Sequence, residues 1–336
     1  MALLTRRAAR PARTAAVAAV LVAVSAACGS DKARPVPPVP EPAAAPAPSA
    51  DPAGRVVPLP GHPEGLAFDS TTGMLVAGVD GGVAVLGADG AGTKTVTLGA
   101  RPRHVQLAEG GGAVLVPLEG SDELVVVGLP DGEVRQKVAV GRQPHDAAAA
   151  GGRVFVGDEL ADTVSVIEGD GVRATVRGPI QPGGVAVASG SVAVVGVRGR
   201  RLQVLDASTL AEVAALDAGV GPTHVVADRS FAYVSDTQGD AMLVYRLGAR
   251  PARAARVAVP GTPYGLALDA PRNRLWVTLT KTNELVEFTI TDGELTRRAH
   301  YPTVRQPNSV AVDPRTGTVY VAGAAGGQLQ ILTPER

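Results

Sequence analysis

A chain of 336 residues, 45% of them apolar, can bury one large core or two ordinary ones. Its 32 basic residues match its 32 acidic ones, but four of the arginines precede residue 14; without them the balance is 28 against 32, an acidic surplus that, with 3% aromatics, argues against a nucleic-acid binder. The lone cysteine excludes a disulfide framework.

Arg6, Arg7, Arg10 and Arg13 precede an apolar run over 15–24. That is roughly half the length a membrane-spanning helix requires. The run ends in Ser25-Ala26-Ala27-Cys28-Gly29, which resembles a bacterial lipobox. Residues 1–27 are therefore expected to be a removable export signal, with both the general and the twin-arginine routes open, and Cys28 the lipidation site. The mature chain is expected outside the cytoplasm, anchored to the membrane by acyl chains whose buried methylenes contribute ~0.8 kcal/mol each. Residues 28–54 form a Pro/Ala tract, expected to be an extended linker that holds the folded part off the bilayer.

From residue 55 the chain repeats itself. Phrases such as GHPEGLAFD (61–69), RQPHDAAAA (142–150), VGPTHVVAD (220–228) and GTPYGLALD (261–269) carry Pro63, Pro102, Pro144, Pro182, Pro222, Pro263 and Pro307, spaced 38 to 44 residues apart. A second apolar phrase follows each, as in VFVGD (154–158) and AYVSD (232–236), then a third, as in TVSVIE (163–168). Their alternation with period two marks strands. Seven copies at this period predict an all-β fold over 55–336, a seven-bladed β-propeller of four-stranded antiparallel blades. The last copy has sequence for three strands only. Arg55-Val56-Val57-Pro58-Leu59 is free to supply the fourth, so the ring is predicted to close by the N-terminal strand joining the last blade. Pro58 suits an outermost strand, where a missing donor is tolerated.

Tyr233-Val234-Ser235-Asp236, the looser Trp276-Val277-Thr278 and Tyr320-Val321-Ala322, and the strand start Asn283-Glu284-Leu285-Val286 resemble the YVTN/YncE-like β-propeller family across 55–333. The resemblance implies the fold and no single activity, because such propellers serve unrelated roles. Tyr233, Trp276 and Tyr320 recur at one repeat position, which predicts packing between blades.

The loops divide into two faces. One carries plain turn chemistry, such as Pro130-Asp131-Gly132 and Asp292-Gly293. The other, the mouth face, follows the repeat prolines with Glu64, Arg103, His104, His145, Asp146, Thr223, His224, Tyr264 and Asn308. Its second loop set adds Asp158, Glu159 and Asp162 in blade 3, Arg198, Arg200 and Arg201 in blade 4, and Asp236 in blade 5. Four of the five histidines, including His62, fall on this face. A rim of Glu64, Arg103, His104, His145, Asp146, His224, Asp236, Tyr264 and Asn308 is the candidate contact site. His104, His145, Asp146 and His224 are candidate ligands for a divalent metal, or candidate bases near neutral pH. Against that, His104 and His224 stand three blades apart and are expected to be too distant to share one ion, and the blade 3 acids are expected to pair with the blade 4 arginines.

The first functional expectation is a monomeric, non-catalytic scaffold that binds a protein, peptide or envelope glycan through the mouth face. The alternative is a metal-assisted lyase or lactonase using rim histidines and carboxylates. No phosphate-binding Gly-x-x-x-x-Gly-Lys and no Gly-x-Ser-x-Gly elbow occurs.

Overall fold

The computed structural model describes residues 40–334. The export signal and Cys28 lie outside the described residues. Within them the strands form seven four-stranded antiparallel sheets, each running from the axis outward in chain order. Blades 1 to 6 span 66–97, 106–139, 144–177, 182–217, 222–258 and 263–302. Blade 7 takes three strands from 307–332 and its outermost from Arg55–Pro58, which pairs with Gln328–Leu332 in the register Arg55↔Ile331 to Pro58↔Gln328. The predicted closure is thus observed. No described helix is long and apolar enough to cross a membrane.

Alternation sends one side of each strand into a core shared with the next blade. Seven clusters of buried apolar side chains result, each between two neighbours. The junction of blades 7 and 1 holds Leu59, Phe68 and Tyr320; the two rings stack with centroids 5.3 Å apart, and the Tyr320 hydroxyl donates to the Ala88 carbonyl at 3.0 Å. Tyr233 and Trp276 are buried in the same manner, as their repeat position predicts. Gln330 adds a polar stitch at the closure: its amide donates to the carbonyls of Ala53 (2.7 Å) and Pro302 (3.0 Å).

The first strands line the axis, each lying against the first strand of the next blade. In five blades the pairing of first and second strands slips at the repeat proline, between Pro144 and Asp146, Pro182 and Val185, Pro222 and Val225, Pro263 and Leu266, and Pro307 and Ser309. Proline has no N–H to give the ladder, and the resulting bulge re-aims the next two side chains. The residue before the proline is left-handed at Gln143, Gln181, Thr262 and Gln306. Its N–H is received by the side chain just before the third strand of the preceding blade, respectively Asp122, Asp162, Asp240 and Asn283, at 2.8–2.9 Å. This bracket gives the recurring Asp or Asn its structural role: it fixes the bulges from which His145, Tyr264 and Asn308 project.

The Pro/Ala tract departs from expectation in its described part. Rather than standing away from the ring, 40–54 lies on the mouth face of blades 6 and 7. Ala43 N–H donates to Thr280 Oγ1 at 3.1 Å, Ala45 N–H to Gln306 Oε1 at 2.7 Å, and Asn283 Nδ2 donates to the Pro46 carbonyl at 3.1 Å. Gln306 Nε2 and Arg305 Nε donate to the Ala43 and Ala45 carbonyls at 2.9 and 3.1 Å. An extended segment without internal hydrogen bonds leaves its backbone groups free, and this face supplies their partners.

Candidate functional site at the channel mouth

Two rings of side chains follow the repeat prolines. The first position holds Glu64, Arg103, His145, Gly183, Thr223, Tyr264 and Asn308; the second holds Gly65, His104, Asp146, Gly184, His224, Gly265 and Ser309. Glycine at three second positions lets neighbouring backbone approach closely: a Cβ on Gly184 would stand 2.8 Å from Val225 N, and one on Gly265 2.7 Å from the Asn308 carbonyl. The first strands thus crowd together at the axis, and the large side chains of the ring meet across it.

The imidazoles of His104 and His224 lie 4.7 Å apart, and those of His104 and His145 4.9 Å apart, by ring centroids. The expectation that three blades hold His104 and His224 apart is therefore wrong. Spacing along the sequence measures the circumference, whereas these side chains point along radii. Ring nitrogens of His104, His145 and His224 all come within 4.8 Å of one another.

Two of the three imidazoles are hydrogen-bonded through Nδ1. His224 Nδ1 lies 2.9 Å from the Tyr264 carbonyl, which can only accept, so the proton sits on Nδ1 and the Nε2 lone pair is free. His145 Nδ1 lies 3.0 Å from Glu119 and 3.3 Å from Glu159. His104 Nδ1 stands 3.7 Å from Asp146. Burial, joined by the neighbouring cationic groups, holds His104 and His224 well below the usual imidazole range. Burial would lower His145 too, but Glu119 and Glu159 outweigh it and push its pKa up to about 9.

Above the imidazoles, Glu64 receives Arg101 at 3.1 Å and Asn308 at 3.4 Å. Arg103 stands 3.6 Å from Glu64 and 3.8 Å from Glu41 of the overlying segment, with its Nε buried and unbonded. Tyr264 packs edge-on to His224 at 4.3 Å. A cavity of about 80 Å³ adjoins His104, Asp146 and His224. It has room for an ion and a water or two, each water needing about 30 Å³, and is well below the ~300 Å³ at which organic ligands are enclosed. Beneath it the channel widens to about 430 Å³, where the first strands bring Leu66, Ala147, Val185, Val225, Leu266 and Val310 to its wall.

Three sequence candidates serve the framework instead. Asp146 accepts from Gln106 Nε2 (3.0 Å), Ala147 N–H (2.9 Å) and Val185 N–H (2.9 Å), linking blades 2, 3 and 4. Asp236, named as a rim residue, is buried in its own loop, where it accepts from the N–H groups of Val220 (3.0 Å) and Gly221 (2.7 Å). Asp158 likewise takes Gly141 N–H, Thr163 and Ser165. The pairing expected between blades 3 and 4 is absent among the described residues: Glu159 turns to His145 and Gln181, Asp162 to the Gln181 N–H, and Arg198, Arg200 and Arg201 form no ion pair. His62 sits on the outer surface against Asp80.

Glu119 was missed in the sequence. Its signal was available, since it follows the second strand of blade 2 as Glu159 follows that of blade 3. Glu41 gave no signal, lying in a tract read as linker.

No family model and no curated protein sequence matches the chain. Its backbone is similar to solved propellers at low identity. One is a chain of the mitotic checkpoint complex, 14% identical, covering 86% of this chain and 97% of its own, with a TM-score of 0.74. Virginiamycin B lyase from Staphylococcus aureus is 13% identical, covering 84% and 99%, with a TM-score of 0.70. The Cps50 (Swd1) propeller domain of Myceliophteria thermophila is 13% identical, covering 84% and 98%, with a TM-score of 0.68. At these identities the likeness is one of fold. The class defined is the seven-bladed β-propeller.

Proposed function

We propose that this chain is an exported propeller of YVTN/YncE-like type, lipid-anchored through Cys28, that acts as a non-catalytic binding module for a protein or peptide at the cell envelope. The observation carrying the reading is the seating of 40–48 on blades 6 and 7: side chains of Thr280, Asn283, Arg305 and Gln306 satisfy the backbone of an extended Pro/Ala-rich chain. Backbone recognition of an extended segment is a general means of peptide capture. Propellers of similar backbone occur in protein assemblies, the mitotic checkpoint complex among them. From Cys28 to Pro40 the chain reaches about 40 Å at most, so a lipid on Cys28 keeps the mouth face near the membrane.

Photo-crosslinkers placed at Arg305 on the mouth face and at Arg153 on the opposite face test this in the native envelope. Adducts with one protein from position 305 alone are expected; adducts from 153 alone overturn the assignment of the face. Acyl labelling abolished by Cys28→Ala is expected, and an unlabelled wild-type chain overturns the anchor. One observation favours the second reading, a metal-assisted lyase or lactonase: the three imidazoles on the axis, in a fold shared with virginiamycin B lyase. Ring-opening turnover lost in His104→Ala would replace the scaffold reading with this one.

A further inference from the structure

The binding reading makes no use of the three axial imidazoles. We propose that His104, His145 and His224 form a binding centre for one divalent transition-metal ion of the zinc class, on the propeller axis below the mouth. The inference stands apart from the identity of any partner, and the enzymatic reading would require it.

Four observations carry it. The ring nitrogens lie within 4.8 Å of one another. Tetrahedral zinc holds its nitrogens at about 2.0–2.1 Å, so neighbouring ligand atoms stand about 3.4 Å apart, and the imidazoles must draw together by about an ångström to close on an ion. Every Nδ1 faces an oxygen, namely Tyr264 O for His224, Glu119 and Glu159 for His145, and more distantly Asp146 for His104. Metal-binding histidines are held in this way, with the second nitrogen toward the ion. Charge agrees with a cation: Glu41, Glu64, Glu119, Asp146 and Glu159 surround the mouth, against Arg101 and Arg103. Finally, the adjoining space of about 80 Å³ admits an ion's remaining water or a small anion as a fourth ligand and excludes an organic cofactor.

Any proton on the nitrogen that meets the ion passes to solvent as the ion binds, and the carboxylates of Glu119 and Glu159 beside His145 Nδ1 favour the positive charge that the ion brings. Softer thiolate sites are excluded among the described residues, and three imidazoles suit zinc, cobalt, nickel or copper rather than magnesium or calcium.

The test titrates the full chain, purified in detergent and stripped with EDTA, with Co²⁺ and then Zn²⁺. One equivalent of Co²⁺ is expected, with the visible absorption of a four- or five-coordinate ion, displaced by Zn²⁺ at one equivalent. His224→Ala and His104→Ala should each weaken binding at least 100-fold. Glu119→Gln should weaken it about 10-fold or more through Nδ1 of His145, and His62→Ala, on the outer surface, should leave it unchanged. His104→Gln and His224→Gln keep side-chain bulk if the alanine variants unfold, as judged by circular dichroism. A wild-type chain that takes up no stoichiometric Co²⁺, or binding that survives in folded His104 and His224 variants, overturns the proposal. Crosslinking at Arg305 reads the partner independently, so either reading can fail alone.

Discussion

The two faces of the ring spend their polar groups differently. On the face opposite the mouth, carboxylates close their own turns: Asp206 accepts from the N–H and hydroxyl groups of Ser208 and Thr209, and Asp69 from Thr71, Thr72 and the Gly112 N–H. At the mouth, side chains reach across blades to one another, and the imidazoles keep one nitrogen open. On the mouth face Asp158 is bound up by its own loop, whereas Asp236 holds the Val220 and Gly221 N–H groups with one oxygen and buries its Oδ2 without a partner. Neither burial nor a single unbonded atom marks the candidate site; several imidazole nitrogens meeting in one place do.

If that division is sound, framework changes should cost stability and leave metal affinity intact. Deleting 55–60 should have the largest effect, since it exposes the outer edge of the Gln328–Leu332 strand of blade 7 and removes Leu59 from the blade 7–1 core. A melting temperature lowered by on the order of 10 °C or more is expected; an unchanged one would show that the ring closes without this strand. Asp236→Ala comes next, stranding the N–H groups of Val220 and Gly221, with about 2–4 kcal/mol lost in urea unfolding. A loss of metal affinity as large as that of His224→Ala, in the folded protein, would dissolve the distinction between loop and axis.

The faces should also differ in pH. In the metal-free chain His145 titrates at about 9 when folded and near 6.5 when unfolded, so its contribution is full below about 6.5 and lost as pH rises through 9. His104 and His224 are displaced the other way: below about 6.5 the unfolded chain takes up protons that the folded chain refuses, and stability falls as pH falls. Asp206, held down to about 2 by the Ser208 and Thr209 bonds, loses its contribution only as pH drops from about 4 through 2. A stability maximum near pH 6.5 is expected, with the alkaline descent removed by His145→Gln. A flat profile from 5 to 9 would contradict the mouth's charge states. Tyr320→Phe should have the smallest effect, about 1 kcal/mol for the bond to the Ala88 carbonyl with ring packing retained.

The blades were legible because strand alternation and the repeat prolines recur seven times, and the closure because blade 7 lacked a strand that 55–59 could supply. The candidate site was legible as residues and not as an arrangement. His104, His145 and His224 stood out by position, yet their meeting depends on bulges after Pro144 and Pro222 and on the close approach of neighbouring first strands that Gly65, Gly184 and Gly265 permit, which a pattern of apolar residues does not encode. Asp236 looked equivalent to the rim histidines in sequence, and only its bonds to Val220 and Gly221 place it in the framework. The seating of 40–48 was illegible for another reason: a Pro/Ala tract carries no signal of the partners its backbone will find.

Diffraction at the cobalt absorption edge, from crystals of the full chain grown with Co²⁺, tests the central claim most directly. The account predicts one anomalous peak on the propeller axis, about 2.0–2.2 Å from a nitrogen of each of His104, His145 and His224. An axis without a peak, or three imidazoles turned away from one another, would contradict it.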